Sequence, residues 1–382
     1  MALDAQQLID EARATTGLSE FGDFPLYEPL SQFCVSLNTE SGMNAEHLAA
    51  AGRGFVATLV ERLKIEDWLR RHPEILRQQL AQPVNIIGLA RSGTTALQQF
   101  LSEDPDMRSI RRWELGTPTP PPDDAVGDAD PRIAETRAAF EERDRRFPNY
   151  RAMLPVAAED CSEHNTPMNL TFMNLQMLTL YDAPSYTAWM LAADLTPAYR
   201  YLERYLKLLQ WKTPRARWNL KNPKDLFVLP AFMNAFPNAK VAWLHRDPVS
   251  TVGSACSLIS TVREGMAPVQ DKARYGRFML DFLSESIRRA MRDRDAHGLP
   301  IVDIYNRDVA RDPVASIADL YGKLGIEFTA AFEGRLKDRI ANRPRGQFGR
   351  HSYALEDFGL TAGEVRERFR TYTDRFQVPL EH

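Results

Sequence analysis

The stretch from Val84 to Thr95 limits the possible folds more than any other part of the sequence. It begins with the apolar run Val-Asn-Ile-Ile-Gly and continues as the glycine-bounded loop Leu-Ala-Arg-Ser-Gly-Thr-Thr, after which Leu97, Phe100 and Leu101 follow a helical period. This order predicts a buried strand, a loop and a helix. Such a loop directs backbone N–H groups and the positive end of the helix dipole toward one point, which suits a phosphate group.

Side chains of the same loop add further hydrogen-bond donors. These are Arg91, Ser92, Thr94 and Thr95. The loop that binds nucleoside triphosphates has a lysine directly after its second glycine, which reaches the β and γ phosphates. Here Thr94 follows Gly93. The missing lysine disfavours an ATPase or kinase and favours a single phosphate at this loop.

Strand-like and helical segments alternate along most of the chain. Further strands are predicted at residues 217–221, 240–244 and 301–305, each followed by helix-forming sequence, whereas residues 1–82 are predicted to be helical throughout. Alternation of this kind is typical of an α/β protein. We expect a P-loop-like three-layer sandwich, with a central, mainly parallel sheet flanked by helices, over residues 83–382. The N-terminal helical extension belongs to the same globular unit.

Composition excludes several classes of protein. The 382 residues include 48 Lys and Arg against 51 Asp and Glu, a net charge of −3, so a polybasic protein of nucleic acids or membrane surfaces is excluded. Cys34, Cys161 and Cys256 are too scattered for a disulfide framework or a zinc site. No signal peptide or apolar run of ~18 residues is found. We expect a cytoplasmic protein without a transmembrane segment, a nucleic-acid partner or a metal; a monomer and a homodimer remain alternatives.

A second anion-binding pattern follows the strand predicted at residues 240–244. Arg246 comes directly after His245, and Ser254 lies about two helical turns further on. The guanidinium group of arginine offers a bidentate fork that matches a phosphate, and serine adds a hydroxyl group. Two phosphate sites, each at a strand end, suit a ligand that is phosphorylated at both ends. The alternatives for Arg246 are an ion pair with Asp247 or a helix cap.

These motifs together resemble the sulfotransferases that use 3′-phosphoadenosine 5′-phosphosulfate (PAPS). GLARSGTTALQQFL is similar to their 5′-phosphosulfate loop, WLHRDPVSTVGS to their 3′-phosphate site, and RWNLKNP to the strand that carries a lysine in bacterial members. The resemblance spans roughly residues 84–375. It implies transfer of the sulfuryl group from PAPS to a hydroxyl or amine of a small acceptor, without a metal.

The resemblance also implies roles for individual residues. The 5′-phosphosulfate would be bound by Arg91, Ser92, Gly93, Thr94 and Thr95, with Arg91 also reaching the sulfuryl group. The 3′-phosphate would be bound by Arg246 and Ser254, while Lys221 would stabilise the leaving group. Arg345, Gly346 and Arg350 belong to a basic segment that is similar to the family's C-terminal loop over the adenosine.

A base for the acceptor proton is predicted at Glu114. It occurs in Arg-Arg-Trp-Glu-Leu, where bacterial and tyrosylprotein-type relatives place a catalytic glutamate. The alternative is a structural ion pair with Arg111 or Arg112. His164 is the second candidate base, with a structural histidine as its alternative. Pro223 occupies the position where the animal cytosolic branch has its histidine.

The acceptor itself is predicted only by class. Residues 168–178 are rich in methionine and leucine, which would either line a lipophilic acceptor pocket or form ordinary core. Two other functions stay open at this point. One is a P-loop nucleotide-dependent kinase, and the other is a non-catalytic nucleotide-binding protein of the same fold.

Overall fold

The computed structural model describes residues 2–146, 156–264, 267, 271–342 and 353–381. The α-helices along these residues are α1 Ala5–Thr16, α2 Tyr27–Glu40, α3 Ala45–Arg71, α4 Glu74–Arg77, α5 Thr94–Leu101, α6 Trp113–Gly116, α7 Pro131–Arg146, α8 Asn165–Met168, α9 Gln176–Leu180, α10 Pro184–Ala192, α11 Thr196–Gln210, α12 Leu229–Ala235, α13 Pro248–Arg263, α14 Lys272–His297, α15 Asn306–Arg311, α16 Pro313–Leu324, α17 Ala330–Asn342, α18 Ala362–Arg368 and α19 Arg370–Phe376. Short 3₁₀ helices occur at Gly127–Ala129, Asn169–Thr171, Pro223–Phe227 and Glu356–Phe358.

A parallel sheet forms the centre of the α/β part. Its strands are β1 Gln82–Gly88, β2 Met107–Arg108, β3 Arg217–Lys221, β4 Lys240–His245 and β5 Ile301–Tyr305. They lie in the order β2-β3-β1-β4-β5, and each neighbouring pair is parallel. Ile86 of β1 is paired with Lys221 on one side and with Ala242 on the other. The carboxyl ends of β1, β3 and β4 therefore meet at one edge of the sheet, which is where ligands bind in folds of this kind.

The predicted strands are confirmed, with small changes at their ends. Residues 217–221 and 301–305 are strands as predicted, while the strand predicted at 240–244 extends to His245. Side chains at helix starts explain several of the boundaries: Asp247 accepts the Val249 N–H at the start of α13. The cap residue Asp247 directly follows Arg246, so it also fixes Arg246 between the end of β4 and the start of α13.

The N-terminal helices share their hydrophobic core with the rest of the molecule. Arg62 of α3 is fully buried, and its guanidinium group donates to the carbonyl oxygens of Phe21 at 2.8 Å, Phe24 at 3.0 Å and Leu170 at 3.0 Å. These bonds compensate the buried charge of Arg62. They also join the N-terminal segment to Leu170, in the part of the chain that follows β1. The placement of a domain boundary between residues 82 and 83 stays a prediction.

Apolar packing accounts for most of the methionine-rich stretch. Its apolar residues are buried in the core: Met168, Leu170, Phe172, Met173, Leu175, Met177 and Leu178. The three cysteines are buried free thiols. None of the helices in the described part of the chain combines the length and apolar character needed to cross a membrane.

Candidate active site

Two glycines shape the loop between β1 and α5. Gly93 has φ = 100°, in the region that favours glycine, and a Cβ atom there would collide with Nδ2 of Asn306. That amide group donates to the carbonyl oxygen of Ser92 at 2.8 Å. At Gly88 a Cβ atom would lie 2.6 Å from the carbonyl oxygen of Leu244. Only glycine at these positions lets the loop lie close against β4 and α15.

The loop meets the requirements of a bound phosphate. Ser92 is fully buried, and its hydroxyl oxygen has no hydrogen-bond partner among the residues that the structure describes. Helix α5 begins one residue after Gly93, so its first N–H groups also lack partners within the helix. A phosphate oxygen at this point would satisfy these donors. The residues present therefore fit the phosphorylated ligand predicted for this loop.

On one side of the loop lies a lysine group, formed by Lys221, Thr95 and Glu163. Lys221 is only 2 % exposed at the end of β3, and its ammonium nitrogen is 3.2 Å from Oγ1 of Thr95 and 2.5 Å from Oε1 of Glu163. Lys221 therefore lies beside the loop between β1 and α5, and the leaving-group role predicted for it stays a prediction. Lys224 lies nearby, and burial together with the charge of Lys221 lowers its pKa, although Glu163 opposes this effect.

On the other side lies an arginine group, formed by Arg91, Arg246 and Ser254. Nε of Arg91 donates to Oγ of Ser254 at 3.0 Å, and Nη1 of Arg246 donates to the carbonyl oxygen of Arg91 at 3.0 Å. Burial and the neighbouring charge of Arg246 both lower the pKa of Arg91. Two cations held this close together favour the binding of an anion between them. The Arg91 side chain thus contacts Ser254, one of the predicted 3′-phosphate residues, while the contact predicted for Arg91 with the 5′-phosphosulfate stays a prediction.

A carboxylate already occupies the fork of Arg246. Nε and Nη2 of Arg246 donate to the two oxygens of Glu381, each at 2.7 Å, and the hydroxyl of Ser250 donates to Glu381 at 2.9 Å. The Glu381 backbone N–H donates to Asp247 at 2.8 Å. The alternative of an Arg246 ion pair with Asp247 is wrong, because Asp247 caps α13 and Glu381 is the partner. The fork thus holds a planar carboxylate in a bidentate pair, and arginine forks pair with phosphates in the same bidentate way.

The structure gives no support to the base role predicted for Glu114. This residue is 1 % exposed, and both carboxylate oxygens are bound by the guanidinium group of Arg108 in β2. One of the same oxygens also accepts the backbone N–H of Arg111 at 2.6 Å. A carboxylate that is buried and paired in this way is poorly placed to take a proton from an acceptor. Glu114 does form a structural ion pair, as the alternative stated, but its partner is Arg108 rather than the side chain of Arg111 or Arg112.

His164 is likewise buried and does not face a cleft. It is 0 % exposed, and Nε2 lies 3.0 Å from Asp225. Asp225 also accepts hydrogen bonds from Asn85 at 2.7 Å, Tyr199 at 2.6 Å and Asn222 at 2.7 Å. His164 is therefore a member of a buried polar network, as its structural alternative stated, and the base role is not supported.

The predicted basic loop lies mostly outside the described residues. Arg345, Gly346 and Arg350 all fall there, so their assignment stays a prediction. Tyr353, the first described residue after them, donates its hydroxyl to the carbonyl oxygen of Ser250 at 2.7 Å. Its ring also lies against Gly253, where a Cβ atom would be 2.7 Å from the ring. The chain that follows the basic loop thus returns to α13, beside Ser254.

Sequence reasoning missed Glu163. The neighbouring His164 was predicted as a site residue, although Glu163 is the residue that contacts Lys221. The spacing of about 60 residues between them gave no indication of contact.

Comparisons with known proteins agree with this geometry. A model of the sulfotransferase family matches residues 83–330. The sulfotransferase STF9 of Mycobacterium avium is 27% identical, with a TM-score of 0.89, over 99% of this chain and 97% of that one. STF1 of Mycobacterium tuberculosis is 26% identical, with a TM-score of 0.86, over 97% and 99% respectively. No curated protein sequence matches the chain. From the fold, the loop and the family match together, the chain belongs to the sulfotransferase family.

Proposed function

We propose that this sulfotransferase uses PAPS as its donor and a small lipophilic alcohol or amine as its acceptor. One observation carries the donor assignment: the lysine group and the arginine group both contact the same phosphate loop. Lys221 reaches it through the hydroxyl of Thr95, and Arg246 reaches it through the carbonyl oxygen of Arg91. A nucleotide with phosphates at both its 5′ and 3′ positions would bring negative charge to both groups at once.

The roles follow from these positions. The buried hydroxyl of Ser92 and the N–H groups at the start of α5 would bind the 5′-phosphate, while Arg91, Arg246 and Ser254 would bind the 3′-phosphate. When bound, PAPS supplies an activated sulfuryl group. Lys221 would stabilise the negative charge that grows on the leaving phosphate oxygen as the acceptor attacks in line. Most of the catalysis would come from positioning and electrostatics.

A cavity supports a lipophilic acceptor. It has a volume of about 410 Å³, and apolar side chains such as Leu178, Tyr181 and Phe278 form most of its wall. Its charged lining residues are Asp182, Arg263, Asp271 and Arg274. The next residue after Leu178, Thr179, lines a second, much smaller cavity together with Ala90 of the phosphate loop. Apolar walls with few polar groups are typical of sites for small organic ligands. We propose that the apolar body of the acceptor binds here, with its nucleophile directed toward the loop.

Transfer of label from PAPS tests the function directly. The protein would be incubated with ³⁵S-labelled PAPS and a metabolite extract, and labelled products identified by mass spectrometry. We expect at least one sulfated product together with 3′-phosphoadenosine 5′-phosphate (PAP). Binding of PAP without any transfer would favour a non-catalytic nucleotide-binding protein. A rise in melting temperature with magnesium and ATP, but not with PAP, would instead favour a kinase.

Glu381→Gln should tighten the binding of PAP. In the structure this carboxylate holds the Arg246 fork, so a 3′-phosphate has to displace it. A partly exposed ion pair contributes about 0.2–1 kcal/mol, so removing the charge should lower the Kd for PAP by about 1.4- to 5-fold. Calorimetric titration measures this change, with the exposed Glu367→Gln as the control. Weaker binding in Glu381→Gln would show that Glu381 does not compete with the phosphate.

A further inference from the structure

Glu163 is the carboxylate that contacts Lys221 in the described part of the chain. Its side chain is 29 % exposed, in contrast to the buried carboxylate of Glu114. Oε1 contacts the ammonium group of Lys221, and Oε2 accepts a hydrogen bond from Asn165 at 2.8 Å. A single ammonium group therefore stands between this carboxylate and the hydroxyl of Thr95 in the phosphate loop.

The backbone around Glu163 is fixed on both sides. The carbonyl oxygen of Ser162 accepts a hydrogen bond from Gln98 of α5 at 2.9 Å, and its N–H donates to Ile110 at 2.8 Å. The N–H of His164 donates to the carbonyl oxygen of Lys221 at 3.2 Å. Because its neighbours are tied to α5 and to β3, Glu163 is held in register with the loop and with Lys221. His164 thus serves as a positioning residue for this segment.

Three cations surround the carboxylate and keep it ionised. Partial burial opposes the charge, but Lys221, Lys224 and Arg112 outweigh this effect and lower the pKa of Glu163 to about 2. A carboxylate with such a low pKa accepts a proton poorly. Lys221, however, has the second role of stabilising charge on the donor, and one ammonium group cannot pair fully with both anions.

We propose that Glu163 is the base that accepts the proton of the acceptor, and that donor binding activates it by drawing Lys221 toward the phosphosulfate. This inference rests on the proposed PAPS-dependent function. As Lys221 turns to the donor, Glu163 loses its closest positive charge and gains a nearby negative one. Both changes make its carboxylate a stronger base. The base would therefore become active only when the donor is in place.

The reaction step balances with these groups alone. The acceptor oxygen or nitrogen forms a bond to sulfur while the bond between sulfur and the 5′-phosphate oxygen breaks. The electron pair of that bond goes to the phosphate oxygen, where Lys221 stabilises it. The acceptor proton passes to the carboxylate of Glu163 and leaves for solvent after the products dissociate.

Glu163→Gln keeps the shape of the side chain and removes its ability to accept the proton. We expect the initial rate of label transfer from saturating PAPS to the metabolite extract to fall by about 10²- to 10⁴-fold. The matched control is Glu159→Gln, a partly exposed residue of the same segment that pairs with Arg137. The control should keep the wild-type rate. A wild-type rate in Glu163→Gln would assign the proton transfer to another group.

Proton uptake on PAPS binding tests the activation without any acceptor. The number of protons taken up is obtained by calorimetric titration of PAPS in buffers of different ionisation enthalpy. Because the pKa of Glu163 starts at about 2 and should rise on binding toward that of an ordinary glutamate, ~4.3, we expect uptake of about 0.2 proton at pH 5 that grows as the pH falls and vanishes by about pH 7. Affinity for PAPS should correspondingly increase as the pH falls through this range.

The comparison between variants separates this uptake from protonation of the 3′-phosphate, which is common to all of them. We expect the extra uptake in the wild type and in Glu159→Gln, and its loss in Glu163→Gln. If Glu163→Gln does not fold, Lys221→Met gives the same comparison, because no ammonium group is then withdrawn. PAPS binding with equal uptake in the wild type and the variant would overturn the inference alone. Failure of both PAPS and PAP to bind the wild type would overturn the proposed function and the inference together.

Discussion

Lys221→Met should lower kcat by about 10²- to 10³-fold, since it removes a charged donor from the position where negative charge develops. Lys221 is almost fully buried at the end of β3, and its ammonium group contacts the phosphate loop through Thr95. Methionine fills a similar volume without the charge, so the packing of the strand should be kept. PAP contains no sulfuryl group, so its affinity should change much less than kcat.

The exposed Lys212→Met is the matched control for this variant. Lys212 pairs with Asp123 on the surface and is 47 % exposed, so its loss should leave kcat near the wild-type value. Rates of label transfer and calorimetric titration of PAP would be measured on both proteins, and circular dichroism would verify their folding. Wild-type turnover in Lys221→Met would remove this residue from the mechanism.

Arg246→Ala should weaken PAP binding by at least about 2 kcal/mol, or about 30-fold in Kd. The guanidinium group presents two nitrogens in a fork that already binds both oxygens of a carboxylate. It also donates to the carbonyl oxygen of Arg91, so its loss removes a contact that joins the arginine group to the loop. Both effects reduce the affinity for the 3′-phosphate.

Arg375→Ala is the control for a general loss of positive charge. Arg375 also forms a bidentate ion pair, with Asp295, but away from the loop and at a partly exposed position. Its replacement should leave the Kd for PAP within about 2-fold. Equal affinities of the wild type and Arg246→Ala for PAP would assign the 3′-phosphate to a different site.

The sheet and the loop could be predicted because their signals are local. Apolar runs such as residues 240–244 indicate buried strands, and the pairing of Gly88 and Gly93 around a strand-to-helix turn leaves few other structures. The contact of Arg91 with Ser254 was also within reach, since parallel strands bring their carboxyl ends to one edge of the sheet. In each case, local sequence or sheet topology determines which residues come together.

The proposed base, Glu163, could not be predicted because its environment depends on distant contacts. Glu114 is neutralised by Arg108, which belongs to a strand of only two residues that has no clear sequence pattern. The position of Glu163 beside Lys221 depends on hydrogen bonds that join its backbone segment to both α5 and β3. Sequence spacing contains no information about such ties. A motif can therefore indicate which residue types the chemistry needs. The burial of each side chain in the fold then determines which residue of that type is accessible.

A crystal structure of the protein with PAP tests most directly whether one nucleotide spans both groups. We expect the 5′-phosphate to contact Ser92 and the start of α5, next to Lys221, and the 3′-phosphate to bind Arg246 and Ser254 after displacing Glu381. PAP bound at another surface, or a 3′-phosphate that contacts neither Arg246 nor Ser254, would contradict the assignment of the donor.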